Sequence, residues 1–254
     1  MALRQCFSWW AFAGKGAGTD DLLGAAAKIG YEAVDLIDEA LWPDAARHGL
    51  AIGAATAHGT IEDGLNRPEN ASRIEAEIDA SLLKAGKWKI PVLICFAGNR
   101  QPGMAPEAAL EACAATLARV APRAAAAGVT LAVELLNSRV DHPHYQADRT
   151  AWGLDLCRRV ASPAVRLLYD IYHMQIMEGD VIRTIRDHHA WFVHYHTGGV
   201  PGRGQTDASQ ELNYPAIYRA IASTGYRGFV SHEFLPSGDP VAALETAFRE
   251  CAAI

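Results

Sequence analysis

Four side chains able to hold a hard cation stand near the ends of four successive apolar segments: Glu134 in TLAVELLN, Asp170 in VRLLYDIYH, His196 in WFVHYHTGG and Glu233 in GFVSHEF. A carboxylate flanked by Val133 and Leu135 is costly to bury unless it pairs or binds a cation. An internal salt bridge is the competing explanation for Glu134. Three carboxylates and one imidazole favour one divalent ion, Mg2+ or Mn2+ first, with Co2+ or Zn2+ as further options. Such a set, with its built-in proton-transfer groups, suits chemistry next to a carbonyl. His194 and His196 share parity and point to one side of their segment, whereas His232 and Glu233 point to opposite sides. His196 is the better ligand and His194 a hydrogen-bonded residue one layer deeper. Only one of His232 and Glu233 can face a shared centre.

Other residues are read more plainly. His58 closes the segment AATAH, where a polar rim residue and a substrate contact stay equally open. The stretch Gly14–Gly18 after Trp9 and Trp10 is neither GxxxxGK[ST] nor GxGxxG, so it reads as a lid that brings an aromatic ring to a substrate's carbon face. His142 and His144 flank Pro143, and His188 with His189 closes a helix. Solvated or capping roles suit them, and a rim contact stays open for the first pair. The lysines are Lys15, Lys28, Lys84, Lys87 and Lys89, and only Lys15 could lie near the site, which disfavours Schiff-base chemistry.

These residues need a frame that gathers them. Eight segments have strand character: Arg4–Trp9, Ala33–Ile37, Ala51–Thr56, Val92–Ala97, Thr130–Leu136, Val165–Ile171, Trp191–Thr197 and Gly228–Phe234. Most are near-continuous apolar runs, as expected of parallel strands covered on both faces. Helical stretches separate them, at about 20–29, 43–48, 70–87, 107–127, 149–160, 180–188, 214–224 and 241–252. Eightfold alternation without a linker predicts a single (β/α)8 TIM barrel domain over residues 1–254. Working groups in that fold project from the C-terminal ends of the strands, which places the four candidates at one mouth.

Composition sets the outer bounds. The chain has 254 residues, half of them hydrophobic and 20% charged, which is ordinary for a soluble globular protein. A net charge of −6 argues against nucleic acid or an anionic membrane as partner and leaves a small-molecule substrate. A homo-oligomer is compatible with it. The five cysteines form no CxxC, so neither a disulfide framework nor a thiolate zinc site is expected, and Cys6 and Cys95 read as inert buried thiols. MALRQCFSWWAFAG has some features of a signal peptide, but a first strand fits better. No run reaches the roughly 20 apolar residues that span a membrane, so a cytoplasmic location is expected.

Val133–Asn137 (VELLN), Leu167–Asp180 (LLYDIYHMQIMEGD), His194–Gly204 (HYHTGGVPGRG) and Glu211–Ile217 (ELNYPAI) together resemble the hydroxypyruvate isomerase family. That family lies among the xylose-isomerase-like TIM barrels, beside the ketose 3-epimerases. The resemblance covers essentially the whole chain and is densest from Glu134 to Glu233. It implies a divalent metal held by Glu134, Asp170, His196 and Glu233, an acid/base pair of Glu134 and Glu233, and substrate contact by His173. The chain departs from the epimerases at Val140, where they carry a further Glu. Their arginine after the strand-seven histidine sits in a longer loop, and Arg203 is its nearest equivalent here. Both departures point away from long-sugar epimerisation and toward a smaller substrate.

The expected reaction is interconversion of hydroxypyruvate and tartronate semialdehyde (2-hydroxy-3-oxopropanoate) through an enediolate. A metal would stabilise the enediolate, the two glutamates would move the proton, and Arg203 would clamp the substrate carboxylate. The alternative is a ketose 3-epimerase or another sugar isomerase on this scaffold, and a sugar phosphate stays open. A DNA-repair endonuclease would need a larger zinc cluster and a basic groove. A sugar-binding protein would not need two such glutamates.

Overall fold

The computed structural model describes residues 2–254. Its strands are β1 (Arg4–Ser8), β2 (Ala33–Asp35), β3 (Ala51–Ile52), β4 (Ala54–Thr56), β5 (Val92–Cys95), β6 (Thr130–Glu134), β7 (Val165–Asp170), β8 (Phe192–Thr197) and β9 (Phe229–His232). They form one sheet in the order β3-β2-β1-β9-β8-β7-β6-β5-β4, with parallel pairing. β3 and β4 end this order, yet only Gly53 separates them in the chain. The segment read from sequence as one strand, Ala51–Thr56, is therefore interrupted once, and the nine pieces make the eight strands of a (β/α)8 barrel. The residue at the interruption is sterically constrained. A Cβ at position 53 would come within 2.4 Å of Asp35 Oδ1, so only glycine lets the chain pass this carboxylate.

The helices are α1 (Trp9–Phe12), α2 (Thr19–Ile29), α3 (Trp42–Arg47), α4 (Ala71–Trp88), α5 (Pro106–Ala126), α6 (Thr150–Val160), α7 (Ile171–Met177), α8 (Val181–His188), α9 (Tyr214–Ser223) and α10 (Pro240–Ala252). β2, β5, β6 and β9 end two residues earlier than expected, at Asp35, Cys95, Glu134 and His232, and at two other strand ends a helix takes over. Trp9 opens α1 instead of closing β1, and Ile171 opens α7 instead of closing β7. The second has a local cause: Asp170 caps α7 by accepting from the His173 amide at 3.0 Å. Asn213 and Asp239 cap α9 and α10 in the same manner. Gly30 ends α2 at φ +119, where a Cβ would meet the Phe248 ring at 2.8 Å.

The chain divides by contacts into two units. The first comprises the chain up to Gly53, Asp180–His189 and His194–Ile254. Within it β1 lies between β2 and β9, and α10 packs on α2 and α9. Phe7, Phe12, Phe234, Tyr31 and Phe248 stack edge to face there, with ring centroids 5.1–5.9 Å apart. The second comprises Ala54–Gly179 and Ala190–Val193. Within it β4, β5, β6 and β7 pair in sequence, and α5 packs on α4 and α6. α4 buries Ile74, Ile78, Leu82 and Ala85, which recur at helical spacing along one face.

All five cysteines are free and buried, as expected of inert thiols. Burial pushes the Cys95 and Cys113 thiols well up and that of Cys157 to about 12. Among the described residues no helix is long and apolar enough to cross a membrane.

Candidate metal centre

In the second unit, Glu134 ends β6 and Asp170 ends β7. Glu134 is the register partner of Leu168, and Asp170 lies two residues further along, so both carboxylates share a face of the sheet. Both are buried, at 5% and 0% exposure, and oxygens of the two lie within 4.8 Å. Two buried carboxylates so close repel each other unless a cation or a proton relieves them. Tyr145 ties the strand ends: its hydroxyl accepts from Ala97 N at 2.9 Å and donates to the Glu134 carbonyl at 3.1 Å.

His173 belongs to this group. One turn into α7, its Nε2 lies 3.8 Å from Asp170 Oδ2, and Asn137 Nδ2 stands 2.7 Å from its Nδ1. His142 packs edge-on against its ring, 5.4 Å between centroids, while His144 is exposed. His58, also buried, is engaged elsewhere, its Nε2 accepting from Phe96 N at 3.1 Å. Burial lowers its pKa to about 4, against Glu77 and with Arg73. The ring is therefore neutral, with its hydrogen on Nδ1, for which no partner exists among the described residues.

In the first unit, His196 Nδ1 lies 2.8 Å from Glu233 Oε2, and both residues are buried. Glu233 sits one residue beyond β9, its amide donating to the Thr197 carbonyl at 3.0 Å. The same Oε2 pairs with the Arg203 guanidinium, and Trp10 Nε1 donates to Oε1 at 2.7 Å. Burial alone would raise the Glu233 pKa. The charges of His196 and Arg203, with hydrogen bonds from His196 and Trp10, outweigh it and hold the group well below the usual carboxylate range.

Arg203 therefore lies on Glu233, with its guanidinium carbon 5.9 Å from the centroid of the Trp10 ring. Its backbone adopts φ +53 and is pinned by Leu235 N, which donates to its carbonyl at 2.7 Å. The alternation at strand eight resolves as the sequence required. His232 turns away from Glu233 and bonds Gln5 Oε1 at 2.9 Å, where burial lowers its pKa to about 3.

Three residues beneath this group were not singled out as a set. Asp35 Oδ2 lies 2.6 Å from His194 Nε2, 3.3 Å from Cys6 Sγ and 3.7 Å from His196 Nε2, and all four residues are fully buried. Burial opposes its ionisation, but His194 and His196 hold Asp35 below its ordinary value. His194 is thus the deeper hydrogen-bonded residue foreseen from parity. Asp35 carried the same signal as Glu134, an acid in an apolar run, AVDLI.

Each unit therefore offers a buried pair of hard donors, Glu134 with Asp170 and His196 with Glu233. Residues 23–251 match the family described as xylose isomerase-like TIM barrel, and the chain belongs to that family. It is 37% identical over 128 residues to 2-oxo-tetronate isomerase of Cupriavidus necator, across 50% of this chain and 48% of that protein. It is 30% identical over 116 residues to hydroxypyruvate isomerase of Escherichia coli K12, across 46% of this chain and 44% of that protein. The chain thus matches less than half the length of each of these relatives. A solved structure titled AP endonuclease, family 2, from Brucella melitensis superposes with a TM-score of 0.85 at 24% identity, over 96% of this chain and 97% of that one. That likeness supports the barrel fold alone.

Proposed function

We propose, starting from its place among the xylose isomerase-like barrels, that this chain is an isomerase dependent on one divalent cation. It interconverts hydroxypyruvate and tartronate semialdehyde (2-hydroxy-3-oxopropanoate). The observation that carries the reading is the burial of two pairs of hard donors at the ends of strands β6 to β9. On this reading Glu134, Asp170, His196 and Glu233 share one ion, and the two contact units are halves of one domain. The donors fit such an ion: three carboxylates and one imidazole match the preferences of Mg2+ or Mn2+, and Co2+ or Zn2+ is also accommodated. A cation also relieves the repulsion between Glu134 and Asp170. When bound, it supplies Lewis-acid stabilisation of charge on two neighbouring substrate oxygens.

The residues then divide the work. A proton leaves C3 of hydroxypyruvate, beside the ketone, to give an enediolate. A proton is returned to C2 while the hydroxyl hydrogen passes from O3 to O2, so product and substrate have the same atoms and oxidation level. Glu134 and Glu233 form the acid/base pair, one taking the proton and the other giving it. His173 donates a hydrogen bond to the substrate, and His58, whose Nε2 is taken by Phe96 N, has only its Nδ1–H to offer as a further contact. Arg203 meets the substrate carboxylate while keeping Glu233 ionised. Trp10, 47% exposed, lies against the carbon face. Substrate and product are small soluble metabolites, consistent with a cytoplasmic enzyme.

The test is incubation of the chain with Mg2+ or Mn2+ and either hydroxypyruvate, tartronate semialdehyde or a panel of ketoses, with products identified by NMR. Interconversion of the first two is expected. Epimerised ketose with hydroxypyruvate untouched would overturn the reading in favour of a 3-epimerase.

A further inference from the structure

The loop after β6 carries a side chain that decides which nitrogen of His173 holds its proton. Asn137 is fully buried, and its Oδ1 accepts from the backbone amides of Val140 at 3.0 Å and Asp141 at 2.9 Å. Those two donors fix which end of the amide is oxygen. Its Nδ2 therefore faces the other way, donating to Asp141 Oδ2 at 2.6 Å and to His173 Nδ1 at 2.7 Å. A flipped amide would set an oxygen against the Asp141 carboxylate and an NH2 group against two N–H donors.

His173 Nδ1 must accept in this arrangement, so the ring hydrogen resides on Nε2. A second ring hydrogen would have to occupy the place where the Asn137 hydrogen stands. The backbone of His173 and the Asp141 carboxylate are fixed as well. The His173 amide donates to Asp170 Oδ1 at 3.0 Å, and Tyr172 donates to Asp141 Oδ2 at 2.7 Å. Nε2 looks toward Asp170 Oδ2, 3.8 Å away, beside a proposed ligand of the cation.

We propose that Asn137 is a positioning residue that locks His173 in its neutral Nε2–H form. His173 then meets the substrate as a hydrogen-bond donor and takes no part as a proton acceptor. This rests on the isomerase reading, in which His173 touches the substrate. A neutral N–H at that place stabilises the oxygen on which negative charge grows and leaves proton transfer to the carboxylates.

The experiment is NMR of the full chain with 15N-labelled histidine, paired with steady-state kinetics. The wild type is expected to show His173 with Nδ1 unprotonated and the hydrogen on Nε2. Asn137→Asp keeps the oxygen that the turn requires and removes the amide donor shared by His173 and Asp141. The hydrogen is expected to move to Nδ1, with kcat falling roughly 100-fold and KM changing much less. Should the new carboxylate clash with Asp141 and prevent folding, the double variant Asn137→Asp/Asp141→Asn removes that contact. His173→Gln, which retains an N–H donor, is expected to keep more turnover than His173→Ala. An Nδ1–H or doubly protonated ring in the wild type would overturn the proposal, as would wild-type kcat in a variant whose hydrogen has moved. If the hydrogen moves as expected but the wild type converts no hydroxypyruvate, the isomerase reading fails and the tautomer lock stands.

Discussion

His196 Nδ1 stands 2.8 Å from Glu233 Oε2, inside a ring of donors completed by Arg203 and Trp10. Three positively polarised groups thus converge on one buried carboxylate. The chain keeps a charge out of water here, an arrangement that a purely structural strand end does not need.

Glu233→Gln preserves size and hydrogen bonding but cannot accept a proton. Turnover is expected to fall roughly 10²–10⁴-fold, with an unchanged circular dichroism spectrum. Arg203 would face a neutral partner, at a cost of about 1–3 kcal/mol visible in chemical denaturation. Near-normal turnover would remove Glu233 from the chemistry.

Chelation is expected to abolish turnover, and Mn2+ or Mg2+ to restore it. The ion should also raise the melting temperature, since it binds the folded chain alone. Asp170→Asn, which retains an oxygen to cap α7, should weaken that response and, by relieving the repulsion with Glu134, raise the apo melting temperature. Full activity in protein shown to be metal-free by elemental analysis would exclude the proposed centre.

Gly53→Ala places a methyl group 2.4 Å from Asp35 Oδ1. Relief requires moving either the carboxylate or the strand. A loss of about 1–3 kcal/mol is expected in urea denaturation. An unchanged midpoint would mean that Asp35 does not constrain position 53.

Acid should destabilise the fold through its buried neutral histidines. An unfolded histidine titrates near 6.5, whereas burial lowers His232 to about 3 and His58 to about 4. Below pH 6.5 the unfolded chain binds protons that the folded chain refuses. The stabilisation is therefore complete above pH 6.5 and is lost progressively as pH falls toward 3. Between pH 7 and pH 5 the wild type should lose about 2 kcal/mol more than His232→Gln. Equal losses would show that His232 is protonated in the folded chain.

Much of the frame was readable because parallel strands covered on both faces leave apolar runs, and the acids within them stand out. Glu134 and Asp170 were visible for that reason, and parity correctly turned His232 away from Glu233. The structure departs from the sequence where side chains override pattern. IYHMQIM is as apolar as a strand, yet it winds into α7 because Asp170 caps it. The need for glycine at position 53 comes from a carboxylate on another strand, which no local pattern reports. Asn137 was not singled out as a partner of His173 because a neutral amide advertises no charge, and the two lie 36 residues apart.

The cap on α7 gives the D-x-x-H spacing a mechanical meaning. A short carboxylate at the end of β7 reaches only the amides one helical turn ahead, so the tether fixes both the length and the direction of the step to the imidazole. One inserted residue, or the longer arm of Asp170→Glu, would leave slack in that tether. The ring would then swing off the amide that holds it, although every group needed for the chemistry would still be present.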